Sequence, residues 1–356
     1  CDVVAKLLGH AHVGLNDNFF QLGGDSLLAT RLVARLRERT GRSLSIREVF
    51  ERPQLGDLAR ALRAAPKGGA QLRSVPREGD APLSFAQARL WFLHQFSTTD
   101  AQYNIPIAAH IHGEVDASAL ETALNDVVAR HETLRTIFLN FDGDPAQRVL
   151  GAADAHVALK TIASAASIDI ETILDELSST EFHLSSEPPI RATLISSADD
   201  EHFLLIVVHH IASDAWSMAP LLADISRAYE ARRAGGAYPF DPLPVHYTDF
   251  VAWQREQLGN EDDARSLCAQ QLDYWRDALA QLPIELELPY DRARPTDPTF
   301  AGSAIPIVID PALVAKLRDF AQSRGATLFM TMLASVTALL CKLGAGSDIP
   351  IGAPVA

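Results

Sequence analysis

The spacing of apolar residues changes near residue 80, and the change separates two kinds of structure. In SLLATRLVARLRERTG, Leu28, Leu32 and Leu36 recur at i, i+4 and i+8, and Leu27 and Val33 widen the stripe. Arg31, Arg35 and Arg39 take another face, and Gly41 closes the helix. With short helical pieces on both sides, residues 1–62 read as a small all-α bundle of four helices. Residues 63–80, with proline, glycine and mixed charge but no apolar period, read as a linker.

Beyond the linker the pattern is α/β. Apolar positions three or four apart predict helices over SFAQARLWFLHQF, DASALETALNDVVARH, IETILDEL, SMAPLLADISRAYEARRA, DARSLCAQQLDYWRDALAQL and ALVAKLRDFAQSRG. Strands are predicted over YNIPIAAHIHG, TLRTIFLNFDG, IRATLISSA, HFLLIVVHH and AIPIVID. Several alternate. LLIVV is apolar throughout, which predicts a central strand covered on both faces.

Length and charge narrow the classes. A chain of 356 residues suggests two or three domains. A formal net charge of -14 argues against nucleic-acid binding, which needs a basic footprint. No apolar run reaches the roughly 18 residues of a membrane span, so no membrane partner is expected. Cys1, Cys268 and Cys341 are far apart and odd in number, predicting neither a disulfide framework nor a zinc site, and a cytoplasmic location fits best. CDVVAKLLGH and DIPIGAPVA both read as cuts through a larger polypeptide.

Two stretches carry candidate chemistry. Gly23, Gly24 and Asp25 set Ser26 at the mouth of a helix, where a hydroxyl serves either as an N-cap or as a point of phosphate attachment. In LLIVVHHIASDAWS, His209 and His210 stand where an apolar strand emerges. Neighbours on a strand point to opposite faces, so the two cannot share one task. A hydrogen-bonded core pair and an active centre both fit that arrangement. Metal ligation does not, for want of a third ligand. His110 and His112 alternate on one strand face, which favours surface placement over ligation. No metal site is expected.

The run DNFFQLGGDSLLATRLVARLR, followed by SLSIREVFERPQLGDLA, resembles the peptidyl carrier domain of nonribosomal peptide synthetases. The resemblance covers residues 1–62. It implies that Ser26 is esterified by 4'-phosphopantetheine, added by a phosphopantetheinyl transferase, and carries an aminoacyl or peptidyl thioester. From about residue 81 the chain resembles the condensation domain of the same enzymes, through SFAQARLWFL, RHETLRTIF, HHIASDAWS, YTDFVAW and IGAPVA in that order. The fold implied is a two-lobed V like chloramphenicol acetyltransferase, its first lobe at residues 81–256 and an incomplete second lobe at 257–356.

By that resemblance His210 is the active-site residue, and His209, Asp214, Arg135 and Ser217 support it, Asp214 by an ion pair with Arg135. His131 is structural, and Trp216 and Ser217 shape the turn. The implied reaction is amide formation between a donor thioester and an acceptor amine, in the assembly of a peptide such as an antibiotic or siderophore. An upstream adenylation domain and downstream adenylation and carrier domains are the implied partners. Two other readings are an inactive condensation-like recruitment module and an epimerisation-type domain. The family's glycine after the aspartate is Ala215 here, a departure that strains the backbone if position 215 needs positive φ.

Overall fold

The computed structural model describes residues 1–24, 26–66, 72–76, 79–96, 100–141, 143–163, 170–198, 200–283, 285–293, 302 and 305–353. Two compact units are present, Cys1–Gln71 with Gln270–Val355, and Leu72–Ala269. The first begins with four helices, α1 (Asp2–Leu8), α2 (Ser26–Thr40), α3 (Ile46–Glu51) and α4 (Leu55–Ala64). Their core takes in Leu28, Leu32, Leu36 and Val33 of the predicted stripe, and the Leu27 side chain lies outside the described residues. Leu32 is fully enclosed with Phe19, Ala29 and Val49, while Leu28, Val33 and Leu36 pack at its edge. Ser45 caps α3 reciprocally, its hydroxyl accepting from the Glu48 N–H at 3.2 Å while the Glu48 carboxylate accepts from the Ser45 N–H at 2.8 Å.

The second unit holds β1 (Ala81–Pro82), α5 (Phe85–Phe96), β2 (Asn104–His112), α6 (Ala117–Arg130), β3 (Thr136–Phe141), β4 (Asp144–Val149), β5 (Leu159–Ala163), α7 (Ile170–Ser178), β6 (Ile190–Ala198), β7 (Glu201–His209), α8 (Ala215–Arg233) and α9 (Tyr247–Leu258). α10 (Leu267–Ala278) follows. One sheet has the order β1-β4-β3 and the other β2-β7-β6-β5. Among the described residues β5 and β6 run parallel, and the other strand pairs are antiparallel.

β7 is central, as LLIVV predicts. Leu204, Ile206 and Val208 face a core shared with α6 and α8. Leu205 and Val207 face a second core with Leu83, Trp91, Phe138 and Phe182. Each fully buried aliphatic side chain contributes about 2 kcal/mol, so burial on both faces makes β7 a stiff support for whatever follows it.

The last part of the predicted linker is tied to the second unit. The Val75 N–H donates to Asp249 at 3.1 Å, and Arg148 donates twice to Asp80 at 2.7 Å. Ala81 and Pro82 then join β4. Those anchors make Val75 and Asp80 part of the fold rather than of a free spacer.

α11 (Pro311–Ser323) and α12 (Leu328–Lys342) complete the first unit. The strand expected over AIPIVID is not formed by its described residues. Ile305, Ile307 and Val308 are exposed and pair with no strand, so their backbone gains no ladder. α12 was not predicted because LFMTMLASVTALLCK is apolar nearly all round and shows no helical period. Among the described residues no single helix is long and apolar enough to cross a membrane; α11 and α12 meet that measure only as a pair bent by 102°.

Candidate active site

SFAQARLWFL and YTDFVAW meet because buried polar groups satisfy one another, whereas residues 354–356 of IGAPVA lie outside the described residues. Ser84 caps α5, its hydroxyl accepting from the Gln87 N–H at 3.0 Å while Gln87 Oε1 accepts from the Ser84 N–H at 3.0 Å. The same hydroxyl lies 2.9 Å from the Tyr247 hydroxyl at the start of α9. Arg255, two turns further on, donates to the Leu83 carbonyl at 3.0 and 2.8 Å. SFAQ and YTDFVAW are thus two halves of one polar joint. Gln147 closes it, donating to the Pro82 carbonyl at 2.7 Å and to Gln87 at 3.1 Å.

His209 and His210 take opposite environments, as strand parity requires. His209 is fully buried on the Phe182 side of the sheet. Its Nδ1 accepts from the Ile211 N–H at 3.1 Å, which fixes the proton on Nε2. That Nε2 has no hydrogen-bond partner among the described residues and sits among the rings of His94, Tyr103 and Phe182, with centroids 6.1–6.2 Å away. Burial, reinforced by His94 and His210, pushes its pKa down to about 3. His209 is therefore a neutral packing residue at any cellular pH.

His210 has left the ladder and is exposed. Its N–H donates to the Tyr103 carbonyl at 2.8 Å, and its Nδ1 donates to the Ser213 carbonyl at 2.9 Å. A carbonyl can only accept, so the proton of neutral His210 lies on Nδ1 and the lone pair on Nε2. The ring lines a cavity of about 420 Å³ with His131, Ser213, Asp214, Ser217, His246 and Tyr247.

Asp214 is the N-cap of α8. Its carboxylate accepts from the Ser217 N–H at 2.9 Å and the Ser217 hydroxyl at 2.6 Å. The expected ion pair with Arg135 is not formed. Arg135 lies in the Glu132–Arg135 turn, donates to the Leu150 carbonyl and is 3.6 Å from Glu132. Asp214 is occupied by its own helix and Arg135 by its own turn. Ala215 is the first residue of α8, with negative φ, so its Cβ meets no backbone strain.

Among the cavity residues His246 carried no signal in the sequence, while His131 and Trp216 stood in motifs and were expected to be structural or to shape the turn. His131, expected to be structural, bonds Asp224 through Nε2 at 2.7 Å and also lines the cavity. His246 faces Glu132 at 3.7 Å. Trp216 is exposed and lines a neighbouring cavity of about 410 Å³ with Asp214 and Pro220. The partners of His131 and His246 stand far away in the sequence, and no local period encodes that.

In the helical bundle, Asn18 to Gly24 form a tight turn closed by Leu22 N–H to Asn18 carbonyl at 3.0 Å and Gly24 N–H to Phe19 carbonyl at 3.0 Å. Gly23 has φ 95°, and a Cβ on Gly24 would lie 2.4 Å from the Phe19 ring. Both positions need glycine. Asp25 lies outside the described residues, and Ser26 opens α2. A glycine turn that brings the chain to the start of α2 sets Ser26 at a helix N-terminus, whose dipole favours a negatively charged phosphodiester-linked group.

A family model described as the condensation domain matches residues 77–356, and one described as a phosphopantetheine attachment site matches residues 1–62. The chain is 44% identical over 356 residues to the dimodular nonribosomal peptide synthase of Bacillus subtilis (strain 168), covering 100% of this chain and 15% of that protein. It is 37% identical over 355 residues to the malpinin synthetase of Mortierella alpina, covering 98% of this chain and 4% of that protein. The chain thus spans 15% or less of the length of these relatives. Among solved structures it is similar to the X-domain from teicoplanin biosynthesis, with TM-score 0.71 and 34% identity over 78% of this chain and 60% of that one. The first condensation domain of the CDA synthetase shares the fold, with TM-score 0.55 and 22% identity over 74% of this chain and 62% of that one. The chain belongs to the condensation-domain family of nonribosomal peptide synthetases, with a phosphopantetheine-attachment domain ahead of the condensation domain.

Proposed function

We propose that this chain carries an acyl donor on Ser26 and forms an amide between that donor and an acceptor amine, with His210 as the catalytic residue. The observation that carries the reading is the hydrogen bond from His210 Nδ1 to the Ser213 carbonyl, which leaves Nε2 as an acceptor on a ring that lines the cavity. 4'-Phosphopantetheine, when attached to Ser26 by a phosphopantetheinyl transferase, supplies the thiol that activates the donor as a thioester. An α-amine titrates near pH 8, so about a tenth of it is already neutral at pH 7 and little base strength is needed. Nε2 hydrogen-bonds the amine into line and takes its proton as the carbon–nitrogen bond replaces the donor's carbon–sulfur bond, and the proton then passes to the departing sulfur, which leaves as a free thiol. Proton transfer of this kind is worth roughly 10²–10⁴-fold, and positioning of two tethered reactants is worth more.

Residues 81–256 act in this reading as the first lobe and residues 257–356 as the start of the second. Adenylation domains and an acceptor carrier are the partners. The capped Asp214 and the unstrained Ala215 support an intact motif rather than an inactive recruitment module. Donor-loaded protein is incubated with an aminoacyl acceptor on a second carrier, and the products are read by intact mass. Amide from the wild type, with a loss of about 100-fold or more in a folded His210→Ala variant, is expected. A wild type that makes no amide, or that only inverts the donor, overturns the reading.

A further inference from the structure

β2 is an edge strand whose even-numbered side chains from Pro106 onward are exposed, and its last residues carry His110 and His112 on one face. Sequence spacing alone gives two nitrogen ligands. The register adds a third group, because His112 lies directly across from Glu201, the first residue of β7, and His110 lies across from Phe203. Both histidines turn to the same carboxylate. His112 Nδ1 is 2.8 Å from Glu201 Oε1, and His110 Nε2 contacts Oε2. One donor atom from each of the three lies within 4.8 Å of the others.

We propose that His110, His112 and Glu201 form a binding site for one divalent transition-metal ion of borderline softness, such as zinc. Two imidazoles and a carboxylate are a donor set that such ions prefer. A tetrahedral ion with bonds of about 2.0–2.1 Å separates its ligand atoms by about 3.3 Å, so the His112–Glu201 pair, now at 2.8 Å, opens slightly, while donors as far apart as 4.8 Å close in. Two features hold them ready. The ladder between β2 and β7 fixes the strand positions, and the His110 ring lies flat on Phe203, with centroids 4.3 Å apart and 2° between planes. In the metal-free state each histidine shares a proton with Glu201. On binding, that proton moves to the other ring nitrogen, His110 Nδ1 and His112 Nε2, and the lone pairs turn to the ion. The fourth position opens to water.

The site is separate from the reaction centre. Asn104 pairs with His209 and His112 with Glu201, so the two lie at opposite ends of the same ladder, eight residues or about 27 Å apart. Cys1 and Cys341 are exposed thiols that would also take zinc. Calorimetric zinc titration of the full chain is therefore done in a Cys1→Ser/Cys341→Ser background. One saturable equivalent is expected, with affinity about tenfold or more weaker in Glu201→Gln and lost in His110→Ala/His112→Ala. The absence of saturable binding in the parent, or unchanged affinity in the double histidine variant, overturns the site.

Discussion

Two histidine pairs stand at opposite ends of the β2–β7 ladder, and they differ by one residue of spacing. His209 and His210 are adjacent, so one is sealed against Phe182 and the other emerges into a cavity. His110 and His112 are separated by one residue, so both turn to the same carboxylate. Period-two geometry thus decides whether two histidines divide a task or share one. Burial then decides what each can do. His209 is locked neutral by its surroundings, whereas His110, His112 and His210 keep contact with solvent.

The largest effect on stability is expected at the buried member. The His209 pKa is depressed in the fold, so the unfolded chain takes up its proton first as pH falls below about 6.5. Stability from neutral His209 is fully present above that pH and is lost as pH falls toward about 3. Between pH 6.5 and 4 the wild type should lose about 3 kcal/mol that a His209→Asn variant does not lose. Urea unfolding of both proteins across that range measures it. Parallel pH slopes would remove the burial account of His209.

A smaller effect separates the cap from the ion pair. Asp214→Ala should cost about 1 kcal/mol, the usual worth of an N-cap carboxylate. Arg135→Ala should add to it independently, with a coupling below about 0.5 kcal/mol in the double-mutant cycle. A coupling of several kcal/mol would restore the ion pair read from the sequence. The smallest change is expected for Ala215→Gly. Since residue 215 is helical, the glycine relieves no strain and should shift stability by no more than about 0.5 kcal/mol, with amide formation unchanged.

The sequence was most legible where a local period or cap carries the information. Leu28, Leu32 and Leu36 announce α2, and LLIVV announces a strand buried on both faces. The separation of His209 from His210 follows from parity alone. The two sites depend on partners that no period encodes. Glu201 reaches His112 through strand register, and the Ser213 carbonyl reaches His210 through the turn after β7. The Asp214–Arg135 pair failed for a local reason, since a carboxylate three residues before Ser217 at a helix start is taken by the cap. Composition shows the proline and glycine of residues 63–80, not the anchors that tie Val75 and Asp80 to the second unit.

The central claim is that His210 offers a lone pair on Nε2 while His209 has its proton there. Ring-nitrogen NMR of protein labelled at histidine, at neutral pH and assigned with His209→Asn and His210→Ala, reads both tautomers in one spectrum. The account predicts opposite tautomers, with the proton on Nδ1 in His210 and on Nε2 in His209. A proton on Nε2 of His210 would leave no acceptor for the amine and contradict its role.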